Sequence, residues 1–244
     1  MSNHKLYKGD CLKVMDKIPD SSIDLVLVDL PYAQTRSEWD VIIPYELLWK
    51  QYIRIGKEHC TFVFTAKGQF MIDLILSNRE WYRWEWVWAK GRAANFASAN
   101  KRPLNCHEYV LVFCKKGAVY NPQKFKGEAY TINRPADIVE GTGVKRSKTI
   151  CDGMRYPYSI IQVTGHSQKG LVHPTQKPLK LMEYLIKTHS NEGDTVLDNC
   201  MGSGTTGIAA LTCGRNFIGI EQDEKYYKIA KARINSVPKN KLFL

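Results

Sequence analysis

Two short clusters in this 244-residue chain have residue types and spacing suited to chemistry. The first runs from Val196 to Thr206, Val-Leu-Asp-Asn-Cys-Met-Gly-Ser-Gly-Thr-Thr, and reads as a strand, a glycine turn and a helix start. Glycines at such a turn let the backbone approach a ligand closely, and a helix N-terminus presents unpaired N–H groups. Nineteen residues past Gly202, Glu221 ends the next apolar run, where a carboxylate can accept hydrogen bonds from both hydroxyls of a ribose. No third glycine follows Gly204 at the dinucleotide spacing, and no Gly-Lys-Ser/Thr phosphate cradle is present. Asp198 precedes the loop, where it would repel a pyrophosphate but pair with an amino group. The ligand that fits is a nucleoside bearing an amino acid, such as S-adenosylmethionine.

The second cluster is Asp29-Leu30-Pro31-Tyr32, at the end of the apolar run Ser22 to Asp29. Parallel-sheet enzymes place their chemistry at the carboxyl ends of strands. Pro31 fixes its own φ and biases Leu30 to an extended conformation, which can aim the Leu30 carbonyl outward beside the Asp29 carboxylate. Two adjacent acceptors suit the two N–H donors of an exocyclic amine on a nucleobase. Held in tetrahedral geometry, that nitrogen gains a lone pair able to attack a methyl sulfonium, and Tyr32 offers a ring on which a flipped base can stack. Transfer would be a direct displacement, and no Pro-Cys pair of the kind used for attack on cytosine C5 is present.

Apolar runs that alternate with helix-period segments must position these clusters, the pattern of a sheet with helices on its faces. Strands are predicted at Lys5 to Gly9, Ser22 to Asp29, Thr61 to Ala66, Trp84 to Lys90, Glu108 to Lys115, Thr195 to Cys200 and Asn216 to Glu221. Helices are predicted at Pro44 to Ile55, Gly68 to Asn78, Leu179 to His189, Gly204 to Cys213 and Asp223 to Asn235. In the last, Tyr226, Ile229, Ala230 and Ile234 form one apolar stripe. The stretch from Lys116 to Leu171 breaks the pattern. From Lys115 to Gly170 it carries ten basic against four acidic residues, a net of +6, which marks a functional insertion.

The whole chain carries 35 Lys+Arg against 24 Asp+Glu, a formal charge of +11, with 13 Tyr, 8 Phe and 6 Trp. Clustered basic residues release counterions from phosphates and aromatic rings stack on bases, so the balance points to a polyanionic partner. A hydrophobic fraction of 44% argues against disorder. No stretch reaches the roughly 18 apolar residues of a membrane helix, and Met1 to Lys5 leads into no signal-peptide core, so a cytoplasmic protein with no membrane partner is expected. Seven scattered cysteines without a C-x-x-C pair predict reduced thiols and no metal site.

In their order along the chain, the two clusters resemble those of the permuted (β-type) DNA amino-methyltransferases acting on adenine N6 or cytosine N4, in which the catalytic motif precedes the cofactor motif. The chain is most similar to the compact enzymes of phages and restriction–modification systems. The resemblance extends through Gly9-Asp10-Cys11-Leu12, Trp88-Ala89-Lys90, His107-Glu108-Tyr109 and His173-Pro174-Thr175-Gln176-Lys177-Pro178. It implies a three-layer, Rossmann-like α/β methyltransferase fold, circularly permuted, whose mostly parallel sheet carries one antiparallel strand and which bears a small target-recognition insertion. Residues 1–115 would form the catalytic half with the target-base pocket, 116–171 the target-recognition insertion and 172–244 the cofactor-binding half.

The same resemblance assigns roles. Asp29, Leu30, Pro31 and Tyr32 would be catalytic. Asp10 would meet the cofactor adenine with Cys11 nearby, and Glu221 would hold the ribose. Asp198, Met201, Gly202, Ser203, Gly204 and Thr205 would wrap the methionine part of S-adenosylmethionine. Thr175, Gln176 and Lys177 would be donors near its carboxylate, although Lys177 can equally cap a helix starting at Pro178. Lys145, Arg146 and Lys148 form the densest basic cluster and, with Lys101 and Arg102, are the expected contacts to double-stranded DNA along its backbone.

The chain departs from the family in having Leu30 where Pro is usual, and in its short insertion. Adenine N6 is the expected target, because Asp in the leading position is the usual adenine form and Ser more often marks cytosine N4. The alternatives are cytosine N4, and a catalytically silent DNA-binding subunit, which predicts disrupted acceptor or cofactor residues. Enzymes methylating RNA or protein glutamine amides have related turns, usually led by Asn. A homodimer and a cognate restriction endonuclease are left open as partners.

Overall fold

The computed structural model describes residues 3–33, 40–132, 149–164 and 176–238. In chain order the main unit begins with β1 (His4–Lys8), α1 (Cys11–Met15), β2 (Ile23–Val28), α2 (Tyr45–Ile55), β3 (Gly56–Ala66), α3 (Gly68–Ser77), β4 (Tyr82–Ala94) and β5 (Asn105–Cys114). Four short strands follow, β6 (Phe125–Lys126), β7 (Tyr130–Ile132), β8 (Thr149–Cys151) and β9 (Met154–Arg155). The main unit resumes with β10 (Ile160–Gln162), α4 (Leu179–His189), β11 (Thr195–Asp198), α5 (Thr205–Thr212), β12 (Asn216–Glu221) and α6 (Glu224–Asn235).

The main sheet has the order β1-β12-β11-β2-β3-β5-β4-β10. β5 runs antiparallel to both β3 and β4, and every other pairing in this sheet is parallel. A mostly parallel sheet with one antiparallel strand is what the resemblance implied. Alternation along the central strands feeds two apolar layers, since successive side chains point to opposite faces. Val26 and Val28 of β2, Phe62 and Phe64 of β3, and Leu111 and Phe113 of β5 pack with α1, α2 and α3. Leu25, Leu27, Val63, Val110 and Val112 face the other way, onto α4, α5 and α6. Helices on both faces make three layers.

The helix stripes follow the same logic. Leu48, Trp49, Tyr52 and Ile55 are the buried positions of α2, and Ala230 and Ile234 those of α6. Capping sets two starts: the Asp10 carboxylate accepts from the Lys13 N–H at α1, and the Asp223 carboxylate accepts from the Tyr226 N–H at α6. Among the described residues, no helix is long and apolar enough to cross a membrane.

Two compact units are distinguished, Met1–Asn121 with Ser159–Leu244, and Pro122–Tyr158. In the smaller one β6 pairs antiparallel with β9 and β7 with β8. Its rings and cations pair locally: Lys124 lies 4.5 Å from the Tyr156 ring centroid, Arg155 lies 4.4 Å from that of Tyr130, and Phe125 meets Tyr158 edge-on at 5.4 Å. β10 falls within the stretch read as irregular from Lys116 to Leu171, yet it pairs with β4 through Ile160 and Val87 in the main sheet. Three residues of strand among Tyr, Pro and Ser are too few to show a period.

Candidate active site

Four parallel strands of the main sheet, β1, β12, β11 and β2, end at one cavity of about 800 Å³. The Gly9 N–H donates to the Glu221 carbonyl at 3.0 Å, and the Met201 N–H donates to that of Ile220 at 3.0 Å, so the three loops leaving β1, β12 and β11 are tied at their roots.

Glu221 is oriented by its neighbours. One carboxylate oxygen accepts the Gly202 N–H and the other the Asp223 N–H, both at 2.8 Å. A carboxylate has about four lone-pair directions, so acceptor capacity remains beyond these bonds. Burial pushes its pKa above the ordinary value, against the backbone donors from Asp223 and Gly202. Gly202 and Gly204 adopt left-handed φ of 51° and 79°, and Gly204 packs against α6, where an added Cβ would lie 3.0 Å from that of Ala230. That close packing, with the left-handed turn, is what the two glycines supply.

Asp198, at the end of β11, is 3% exposed. Its carboxylate accepts the Cys200 N–H at 3.0 Å. Burial pushes its pKa up to about 7, opposed by hydrogen bonds from Thr206 and the Cys200 backbone and assisted by repulsion from Asp29 and Glu221. The Thr205 hydroxyl is buried without a hydrogen-bond partner at the start of α5, where it lines the cavity. Asp10, Cys11, Met201 and Ser203 line the same cavity. The Cys11 thiol is lowered by its hydrogen bond with Cys200, and the same contact, with burial, raises that of Cys200.

The Asp29 turn closes the far side. The Tyr32 and Ala33 N–H groups both donate to one oxygen of the Asp40 carboxylate at 2.8 Å, which pins the backbone after Pro31. Leu30 buries its side chain, leaving its backbone as what it can present to the cavity that it lines. Tyr32 stacks on Phe70 with centroids 4.4 Å apart and donates its hydroxyl to Asp29 at 2.9 Å. The Thr65 hydroxyl, at the end of β3, donates to the same Asp29 oxygen, and the Lys177 ammonium pairs with the other. Burial first, and then the charges of Asp29 and Glu108, hold the Tyr32 phenol well above its usual range, so it stays a donor.

Of the residues expected at the site, Asp29, Leu30, Pro31, Tyr32, Asp10, Cys11, Gln176, Lys177, Asp198, Met201, Gly202, Ser203, Thr205 and Glu221 line this one cavity. Gly204 caps α5 directly behind it. Lys177 neither caps α4, whose N-cap Pro178 has no side-chain capping bond, nor points away, but joins Asp29. Lys101 and Arg102 are exposed in the segment between β4 and β5 and do not line the cavity. Thr175, Lys145, Arg146 and Lys148 lie outside the described residues. Thr65, Phe70 and Asp40 were not anticipated. Thr65 had a signal, a polar residue closing an apolar strand, whereas Phe70 and Asp40 act through contacts that no local pattern encodes. Among the described residues, no group of three His, Cys, Asp or Glu side chains could hold a metal ion.

The sequence model of a DNA methylase family covering N6-adenine and N4-cytosine enzymes matches residues 23–232. The chain belongs to this family. Two relatives are similar over nearly the whole chain: the type II methyltransferase M1.MboII of Moraxella bovis, 26% identical over 97% of this chain and 98% of its own, and the type II methyltransferase M.HinfI of Haemophilus influenzae, 28% identical over 96% and 69%. Among solved structures, the M1.HpyAVI–SAM complex superposes with a TM-score of 0.65 at 23% identity, covering 95% of this chain and 99% of that one. The cytosine-N4-specific PvuII DNA methyltransferase superposes with a TM-score of 0.68 at 20% identity, covering 98% and 89%. The fold is that of S-adenosylmethionine-dependent methyltransferases.

This member of the family is therefore a DNA methyltransferase that uses S-adenosylmethionine. Its cavity suits that cofactor chemically. The buried Asp198 and the half-buried Glu221 complement a cation and a diol, and the unpartnered Thr205 hydroxyl and the glycine turn supply polar groups at close range.

Proposed function

We propose that the enzyme methylates adenine N6 in double-stranded DNA after the base is flipped from the helix into the cavity. The observation that carries this reading is the shared cavity: Asp29 and Tyr32 open onto the same space as Asp198 and Glu221. An acceptor for the reacting nitrogen and a cradle for the methyl donor must lie side by side, because direct displacement tolerates little misplacement.

S-adenosylmethionine supplies an electrophilic methyl group on its sulfonium. Glu221 accepts the ribose hydroxyls with the lone pairs left free by Gly202 and Asp223, and Asp10 meets the adenine edge. Asp198 pairs with the amino group, while Thr205, Ser203 and the backbone around Gly202 and Gly204 hold the remainder. Gln176 and Thr175 donate to the carboxylate. Asp29 and the Leu30 carbonyl accept the two N–H groups of the target amine, with Pro31 fixing the backbone, and the Asp29 side chain stabilises the positive charge that develops on the nitrogen. Tyr32, backed by Phe70, stacks on the flipped base.

The compact unit Pro122–Tyr158, within residues 116–171, serves as the target-recognition insertion, with Lys145, Arg146 and Lys148 following phosphates and exposed Tyr156 and Tyr158 available to bases. Lys101 and Arg102 contact the backbone from the segment between β4 and β5. The type II names of the relatives support a role in restriction–modification, with a cognate restriction endonuclease as partner. Cytosine N4 is the second reading, favoured by the likeness to the PvuII enzyme. Digestion to nucleosides of DNA methylated by the enzyme separates the two: N6-methyladenine supports the adenine assignment, and N4-methylcytosine replaces it.

A further inference from the structure

Four charged side chains form a row along the floor of the site. Lys90 of β4 pairs with one oxygen of Glu108 of β5, Lys177 lies 3.8 Å from the other oxygen of Glu108, and Lys177 also pairs with Asp29. The inner members are withdrawn from solvent, with side-chain exposures of 6% for Glu108 and 11% for Lys177, against 25% for Asp29. The Glu108 oxygen facing Lys177 accepts no hydrogen bond and is buried. A buried carboxylate oxygen is costly unless a cation compensates it, so Glu108 and Lys177 hold one another in place. Lys177 is 148 residues from Asp29 in sequence, so the fold alone brings them together.

We propose that Lys177, seated by Glu108, is a positioning residue for Asp29, holding its carboxylate turned to receive the target amine. The inference rests on the catalytic role proposed for Asp29. The geometry divides the carboxylate into two sides. One oxygen takes the Tyr32 and Thr65 hydroxyls, filling its lone pairs, and the other takes only Lys177 among the hydrogen bonds described. With about two lone-pair directions per oxygen, the Lys177 side keeps one free for an incoming N–H. Lys177 thus selects which oxygen meets the substrate.

The other groups around Asp29 make the cation necessary. Glu108 from β5, Asp198 from β11 and Glu221 from β12 are acidic, Tyr32 is a neutral donor in the same turn, and Asp40 follows it. Lys90 is engaged by Glu108, and Lys67 lies 5.8 Å from the Tyr32 ring centroid. Desolvation alone would lower the Lys177 ammonium, but Asp29 and then Glu108 outweigh it and raise its pKa above the ordinary lysine value, so it stays charged. Without that charge, Asp29 and Glu108 become like charges in a half-dry site, and such pairs share a proton.

The test is Lys177→Met in the full chain. Carboxyl titration by NMR of protein labelled at the aspartate side-chain carbon, with Asp29→Asn assigning the resonance, reads the Asp29 midpoint directly. Calorimetry reads S-adenosylmethionine affinity, and kcat is followed against pH on unmethylated bacterial DNA. The expected result is a midpoint raised by about one unit or more and an acid limb of the kcat profile displaced upward by the same amount, since below the midpoint each unit is a tenfold change in the ionised fraction, with kcat at neutral pH reduced about threefold or more through loss of orientation. The cofactor Kd should stay within about threefold. The double variant Lys177→Met/Glu108→Gln, which leaves no unpaired buried acid, should lower the midpoint again and recover part of kcat. Lys177→Arg should keep it. These two variants carry the test if the single one does not fold.

A cofactor Kd weakened about tenfold with an unmoved Asp29 midpoint would overturn the inference and make Lys177 a holder of the cofactor carboxylate. A kcat profile unchanged in Lys177→Met would also overturn it, leaving the role of Asp29 intact provided Asp29→Asn abolishes turnover. Full turnover in Asp29→Asn would instead remove the catalytic reading itself.

Discussion

Cofactor affinity should fall as the solution is acidified through neutrality, because a proton and the cofactor's cationic amino group compete for Asp198. Burial pushes that carboxyl up to about 7 from an ordinary value of 3.8. If only the ionised form binds, the apparent Kd is the intrinsic Kd multiplied by one plus the ratio of protonated to ionised Asp198. That factor is about 2 at pH 7 and roughly 33 at pH 5.5, a weakening of about 16-fold or about 1.6 kcal/mol. Binding at pH 7 should release about half a proton. Isothermal titration of S-adenosylmethionine in buffers of different ionisation enthalpy measures both quantities, with circular dichroism confirming that the protein stays folded. Asp198→Asn should bind more weakly at pH 7 and show a flat profile over this window. Equal slopes in Asp198→Asn and the wild type, or a flat wild-type profile, would refute the reasoning.

Fold stability should also be pH-dependent, through a different group. His189 is fully buried, bonds through Nδ1 to the Val119 carbonyl at 2.9 Å and leaves Nε2 unpartnered among Trp84, Trp86 and Tyr120. Burial lowers its pKa to about 4 from 6.5, so the unfolded chain binds the proton first. Its stabilising contribution is complete above pH 6.5 and is lost as pH falls toward 4, by about 3 kcal/mol in all. Urea unfolding at pH 7 and pH 5 should show this loss as the difference between the wild type and His189→Leu, because protonation of the raised Asp198 carboxyl acts in the opposite direction over the same window. Gly204→Ala should cost about 2 to 4 kcal/mol by thermal denaturation, from left-handed strain plus the contact with Ala230. Gly214→Ala, at a similar φ of 78° but with its nearest neighbour 3.7 Å away, should cost only the strain, about 1 kcal/mol.

Much of the architecture was legible because the buried strands carry a period that local sequence displays. Asn216–Glu221 and Leu179–His189 have the predicted bounds, and the Val196–Thr206 stretch is a strand, turn and helix as read. β3 and β4 extend beyond their apolar runs, to Gly56 and to Ala94, because ladder pairing continues where side chains no longer alternate cleanly. The five-residue α1 was missed: one turn capped by Asp10 has too few positions to show an apolar face. At the site, the acids at strand ends were readable, since position in a parallel sheet nearly decides their use. The partners of Asp29 were not. The register of β3 beside β2 brings Thr65 to the carboxylate, while Lys177 reaches it from the residues before α4, 148 positions away in sequence.

Asp29 is the residue on which the proposed chemistry rests most directly. Transfer of labelled methyl groups from S-adenosylmethionine to unmethylated DNA, measured side by side for the wild type and Asp29→Ala with cofactor binding as the control, tests it. Loss of a preorganised acceptor should reduce transfer by about 10³-fold while the variant folds and binds the cofactor within about threefold of the wild type. Wild-type transfer rates in Asp29→Ala would contradict the account and move the chemistry to another part of the cavity.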